Sequence, residues 1–238
     1  MEEGAEVLTP TGTPAAALLL ADGRFPAGGH AHSGGVEVAV ARGRVHDLDS
    51  LAAFLRGRLA TAGMVDAALA AAACARAGHV GDEVAWTELV AEAEARQPSP
   101  ALRAAWRVQG RALLRVARHA WPGPPLDALA RALPDGAPHP LVLGACAAAA
   151  GLGPAAAAAV AAHHVVTGPA SAAVRLLGLE PLAVAGVLAG LAAEIDLMAT
   201  AASGAAGGPA AELPCLSAPL SEIGAEDHAA WEVRLFAS

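Results

Sequence analysis

The stretch LVLGACAAAAGLGPAAAAAVAA, residues 141–162, decides what kind of fold this chain adopts. As one helix it would be long enough to cross a bilayer. However, Gly151, Gly153 and Pro154 interrupt it, alanine fills most of it, and His163 and His164 follow directly. The expectation is therefore a pair of closely packed helices with no membrane span. Alanine has the best intrinsic helix propensity because it loses no side-chain entropy on folding. The same logic extends outward, to helices over about Pro140 to Ala150 and Pro154 to Leu177.

Elsewhere, prolines and glycines punctuate segments with helical spacing. A first short helix is expected from Pro14 to Ala21. A loop forced by Asp22, Gly23, Pro26, Gly28 and Gly29 follows, and Ser33 is placed to cap a helix ending near Gly43. Asp47, Asp49 and Ser50 start an amphipathic helix carrying Leu51, Phe54, Leu55 and Leu59. Further helices are predicted at about Val65 to Ala77, Asp82 to Arg96, Pro100 to His119, Leu126 to Leu133 and Pro181 to Ala202, with prolines near first turns where a missing amide hydrogen is harmless. No segment alternates as a strand would. The fold class is all-α, a single-domain bundle of about eight to ten helices. Residues 1–204 form the core, and residues 205–238 form a glycine/alanine linker and an arm with a short helical stretch from Ala225 to Leu235.

The chain has 238 residues, 55% hydrophobic but 3% aromatic, enough for an independent core. All fifteen basic residues are arginine, so no lysine is available for a phosphate loop or a Schiff base. A formal net charge of −8 argues against a general nucleic-acid binder. Cys74, Cys146 and Cys215 are odd in number and widely separated, which suits a reducing compartment. The start Met1-Glu2-Glu3 lacks the basic segment of a signal peptide, so a cytoplasmic location is expected.

Chemistry-bearing residues concentrate in the loop from Arg24 to Glu37. His30 and His32 are candidate metal ligands, although two imidazoles alone are a weak set. His163 and His164 with Asp196 or Glu194 offer another, so a metal-dependent helical enzyme using His30, His32, His163 and His164 is the alternative reading. No Gly-x-Ser-x-Gly elbow or cysteine equivalent accompanies Ser33, and no catalytic residue or cofactor is assigned. A second feature is the row Arg103, Arg107, Arg111, Arg115 and Arg118, spaced four, four, four and three residues apart. Leu102, Trp106, Leu113 and Ala117 lie on roughly the opposite side, so one face packs and the other is cationic. Like charges so spaced repel, and the stripe needs water or an acidic partner.

Phe25-Pro26-Ala27-Gly28-Gly29-His30-Ala31-His32-Ser33-Gly34-Gly35-Val36-Glu37 resembles the signature of the urease accessory protein F (UreF) family. That signature runs Phe-Pro, a small residue, Gly, two variable positions, an aromatic or His, Ser, a variable residue, Gly, Leu or Val, Glu. In the same order, His139-Pro140-Leu141-Val142-Leu143-Gly144 is similar to the family's His-Pro-Val-Val-Phe-Gly, and Ser171-Ala172-Ala173-Val174-Arg175-Leu176 to its Ser-Ala-Ala-Val-Arg-Leu. The end, Trp231-Glu232-Val233-Arg234-Leu235-Phe236-Ala237-Ser238, resembles Tyr-Ser-Arg-Leu-Phe-Arg-Ser. Departures are Glu180-Pro181 near a frequent glutamine, Trp231 or Glu232 for the tyrosine, and Ala237 for an arginine. The resemblance implies a non-enzymatic assembly factor. It would dimerise, bind the urease accessory protein D or H, and recruit the accessory GTPase G to apo-urease for GTP-dependent nickel insertion. The residues it marks for interfaces or structure are Phe25, Pro26, His32, Ser33, Gly35, Glu37, Arg175, Trp231, Arg234, Leu235 and Phe236. The arm is expected to order on a partner surface, with part of the chain's own first helices as a further candidate.

Overall fold

Residues 141–162 divide as their glycines require. In the computed structural model, which describes residues 15–77 and 83–237, Gly151 takes a left-handed φ of 75° and reverses the chain between two helices. Before it lies α8 (His139–Ala149), whose residues Pro140 to Ala147 are buried; after it, Pro154 opens α9 (Pro154–Leu177), with the bounds expected from sequence. The other helices are α1 (Ala15–Ala21), α2 (Val36–Ala41), α3 (Leu48–Arg58), α4 (Met64–Ala77), α5 (Glu83–Ala95), α6 (Pro100–Ala120), α7 (Pro124–Ala132), α10 (Pro181–Gly190), α11 (Ala192–Gly204) and α12 (Pro219–Ala229). Short 3₁₀ turns lie at Gly29–Ala31 and Ala210–Glu212. The described residues contain no strand, so the fold is all-α. The helix starts expected at Pro14 and Asp82 lie outside them, as do the Met1-Glu2-Glu3 start and Ser238.

Alanine governs the packing. Helix α4 is buried along Val65 and Ala67 to Cys74 and lies against α8, α9 and α11. At the α4–α8 crossing a Cβ on Gly144 would stand 2.2 Å from the carbonyl oxygen of Ala70 and 2.7 Å from the Ala73 Cβ. Glycine there sets how near the two backbones come. The same device recurs where α6 meets the turn into α8, with Gly110 facing the Ala137 carbonyl at 2.1 Å from its notional Cβ.

The sequence reading needs three corrections. A π-helical segment, Leu59–Gly63, joins α3 to α4, so Leu48–Ala77 runs as one rod. This rod is long and apolar enough to cross a membrane by length and composition, but 61% of its most apolar window is buried inside the fold. The helix expected over Pro181 to Ala202 is instead two, α10 and α11, bent by 45° at Leu191, which is fully buried. Gly190 precedes the bend, and glycine is a common kink site. The tail helix starts at Pro219, before the expected Ala225, with the Ala218 amide donating to the Glu222 carboxylate at 2.8 Å. With the rod counted once, eleven α-helices are present among the described residues, slightly above the expected eight to ten.

Arg96 ties the segment after α11 to the bundle. Its nearly buried guanidinium pairs with Glu92 and donates to the carbonyls of Ala210, Ala211, Leu213 and Pro214 at 2.8 to 3.3 Å. Glu226 of α12 takes hydrogen bonds from the Ser99 hydroxyl and the Ala101 amide at the start of α6. Residues 205–230 are thereby part of the packed structure.

The close α4–α8 approach predicts opposite outcomes at two helical glycines. Gly144→Ala should destabilise by about 2 kcal/mol or more through overpacking. Gly57→Ala, where an added Cβ meets nothing within 4 Å, should stabilise by up to about 1 kcal/mol through helix propensity. Thermal unfolding of both variants reads the signs. Equal effects would show that the crossing is not what limits the packing.

Candidate functional site

The α1–α2 loop is held from below. Phe25 is half-buried with its ring 5.8 Å from that of Trp121, while Pro26 is exposed. Gly34 and Gly35 take consecutive left-handed conformations, φ 58° and 85°, and a Cβ on Gly34 would come within 2.8 Å of Pro169 in α9. Between these contacts Ser33 is completely buried, and its Oγ accepts from the Gly35 amide at 3.3 Å and the Glu37 amide at 3.5 Å. The cap position of α2 falls on Gly35, not on Ser33. Ser33 still serves an otherwise unpaired first-turn amide, two residues further out than expected, because the two glycines add a left-handed turn before the helix.

Glu37 points inward from α2 and organises the tail. As a carboxylate it accepts from the Leu235 amide at 2.9 Å and the Phe236 amide at 3.2 Å, and His228 Nε2 lies 2.8 Å from it. A carboxylate only accepts, so this nitrogen carries hydrogen. The Ala237 amide donates to the Ala31 carbonyl at 2.7 Å. Arg175 closes the contact: its guanidinium stands 4.6 Å above the Phe236 ring and donates to the His30 carbonyl at 3.3 Å. Phe236 is buried, whereas Val233 and Leu235 are 82% and 76% exposed. Trp231 is half-buried against the His228 ring at 4.9 Å, and Arg234 is exposed. Of the expected docking residues, Phe236 is thus an inward anchor while Leu235 faces outward beside Val233, which the sequence did not single out, and the surface that receives the anchor belongs to this same chain.

Behind the loop lies a chamber of about 680 Å³ lined by all four imidazoles of the metal-enzyme alternative together with His139, Arg58 and Asp66. Among the described residues no group of three or more His, Cys, Asp or Glu is placed to hold a metal. The His139 and His164 rings are 6.4 Å apart, and those of His163 and His164 6.3 Å. Burial holds both His139 and His164 neutral, with pKa values of about 3 and about 4, and neighbouring imidazoles add to the effect. Burial pushes Asp66 up to about 7 against the opposing pull of Arg58. Sequence reading missed Arg58, Asp66 and His139 as site residues. A clue to Arg58 is Pro169 inside α9: proline cannot donate to the Val165 carbonyl, and Arg58 Nε approaches that oxygen at 3.5 Å. His228 carried no local signal.

The arginine row divides in two. Arg103 donates to the carbonyls of Gln97 and Pro98, and Arg107 pairs with Glu94 of α5. Further along, Arg111 donates to the Asp135 carbonyl at 3.0 Å and Arg118 pairs with Asp127 of α7 at 2.8 Å. Much of the expected acidic or polar counterpart is therefore intramolecular.

Comparison with known proteins follows the same outline. The UreF family model matches residues 45–192. The chain is 46% identical over 224 residues to the urease accessory protein UreF of Mycobacterium sp. (strain JLS), covering 93% of this chain and 97% of that protein. It is 44% identical over 227 residues to that of Mycolicibacterium vanbaalenii, covering 93% and 97%. With that of Mycobacterium tuberculosis (strain H37Rv) it shares 39% over 214 residues, covering 89% and 92%. The chain belongs to the UreF family. In this UreF-family chain the loop and the tail lie on either side of the family-model span, and the fold brings them together.

Two outcomes follow for the UreF-family chain. Glu37→Ala should leave the Leu235 and Phe236 amides and His228 without their shared acceptor and destabilise the tail contact by about 1 to 3 kcal/mol. Hydrogen exchange of residues 231–237 should rise well above that of the core, and unchanged protection would refute the carboxylate's role. The second outcome concerns pH. His139 and His164, depressed from 6.5, contribute stability that is present above their unfolded pKa and lost as pH falls towards their folded values. Asp66, raised from 3.8, contributes in the opposite sense, losing stability as pH rises towards 7. Asp66→Asn removes this offset, so stability between about pH 4 and 6.5 should fall more steeply on acidification, by up to about 1 kcal/mol per pH unit. A slope equal to that of the parent protein would contradict the burial of this carboxyl.

Proposed function

We propose that this chain is a non-enzymatic, cytoplasmic assembly factor for urease. It binds the accessory D or H protein and presents the accessory GTPase G to apo-urease, where GTP hydrolysis accompanies nickel insertion. Nickel is cargo in this scheme. The observation that carries the reading is near end-to-end similarity to proteins named urease accessory protein UreF. The site geometry supports it further, because loop and tail form one composite surface with Val233 and Leu235 directed outward. A buried anchor with an exposed apolar rim is the kind of surface a partner protein covers. Coupling to the GTPase would come from unequal affinity for its nucleotide states. Self-association is part of the proposal, through the outer face of α10 and α11, where Leu182 and Leu197 are 81% and 73% exposed.

The architecture of the tail changes how the proposal is tested. Removing everything from Leu213 onward would strip Arg96 of two carbonyls and α6 of Glu226, confusing folding with binding. Removing residues 231–238 spares those contacts. The shortened protein should keep its helical content but bind the accessory D or H protein at least roughly tenfold more weakly, as expected for losing a central aromatic anchor, and should activate urease correspondingly less. Full affinity and full urease activation by the shortened protein would defeat this reading.

A further inference from the structure

The C-terminal half of the arginine row opens onto a separate cleft between α6 and α7. This cleft, about 580 Å³, has Arg111, Arg115 and Arg118 along one wall and Leu114, Leu133 and Pro134 among its apolar lining. Arg111 is fixed over Gly136, where φ is 100° and a Cβ would lie 2.8 Å from the Arg111 Cγ. Arg118 is fixed by Asp127. Arg115, exposed between them, has no counter-ion among the described residues. His119 also lines the cleft, and Asp127 is the carboxylate there. The result is a cationic patch on a chain whose net charge is −8.

We propose that this cleft docks an acidic amphipathic helix of a partner protein. The arginines extend over two helical turns, about 10 Å at 1.5 Å per residue, more than one carboxylate or phosphate can bridge. A facing helix with carboxylates three or four residues apart repeats the arginine spacing, and an apolar residue between them meets Leu114 and Leu133. Two guanidinia already held in place lower the ordering cost of recognition, and the arginine fork suits carboxylates bidentately. Nucleic acid is the poorer occupant: the body of the chain repels phosphate, and the cleft lining has no Phe, Tyr or Trp on which bases could stack. The cleft shares no lining residue with the chamber behind the loop, so the proposal does not depend on the function proposed for loop and tail.

The test uses the full chain and a fluorescent helical peptide carrying glutamates on one face and leucines on the other. Its glutamine-for-glutamate twin and a single-stranded DNA oligonucleotide serve as comparisons. Anisotropy titrations should show salt-sensitive binding of the glutamate peptide and at least roughly tenfold weaker binding of its twin. Arg115→Glu should lose the glutamate peptide by a similar factor while melting like the parent, because its side chain supports no described contact. Arg44→Glu, which removes an exposed cation elsewhere on the surface, should bind as the parent does. Absence of binding at millimolar peptide, equal binding by Arg115→Glu, or tighter binding of the DNA than of the peptide would each overturn the proposal.

Discussion

The approach of α4 to α8 is the constraint on which the rest of the structure rests. Burial contributes about 25 cal/mol per Å² of apolar surface, and an alanine side chain offers little such surface. A chain with 3% aromatic residues and long alanine runs must therefore recover stability from dispersion between closely approaching backbones. Gly144 makes that possible by leaving room for the Ala70 carbonyl and the Ala73 methyl group. Once α8 lies on α4, the reversal at Gly151 returns α9 across the same rod, and α11 covers another side. The core is shallow in side-chain volume and dense in helices.

Such a core leaves little apolar surface to hold the irregular segments, and buried polar groups hold them instead. Arg58 lies beneath the loop, close to Gly34 and the proline-freed carbonyl of Val165. Arg96 gathers four carbonyls from residues 210–214, and Glu37 gathers two amides and an imidazole from the tail. Arg96 and Glu37 are each a single buried charged side chain serving several backbone groups that would otherwise be unpaired, whereas Arg58 serves one. Removing such a hub is far more damaging than removing one hydrogen bond, because all of its partners lose satisfaction together.

This division explains what could be read from sequence. Helix α9 was legible to the residue because Pro154 and Gly178 are local signals that act on their own backbone. The bend at Leu191 was not, since Gly186 and Gly190 are equally compatible with a straight apolar helix until tertiary packing buries Leu191. The loop stood out through its glycines and its family resemblance, but the sequence did not indicate what Glu37 does. Its partners lie 191 to 199 residues away, and no periodicity connects them. The arginine row was visible as a helix face, whereas the pairing of Arg107 with Glu94 and of Arg118 with Asp127 depended on where α5 and α7 pack. Local chemistry is written locally; the use made of a charged side chain by a distant segment is not.

On the function proposed, the Glu37 contact would also link the tail to the partner that binds it. While the tail is docked, Phe236 is buried and Val233 and Leu235 are displayed beside the loop; when it leaves, the Glu37 carboxylate and the Phe236 site both open to water. A partner that recognises the docked arrangement must therefore stabilise the α2 end of the fold, by an amount that grows with the logarithm of its concentration over its dissociation constant. The converse would also hold, because thermodynamic coupling is reciprocal: any change that loosens Glu37, Arg175 or His228 would lower the affinity of such a partner even though none of the three needs to touch it. Glu37 and His228 are buried, and their effect on binding would be carried entirely by the population of the docked tail. A surface built this way reports on the integrity of the fold beneath it, which suits a protein whose proposed work is to hold other proteins in register.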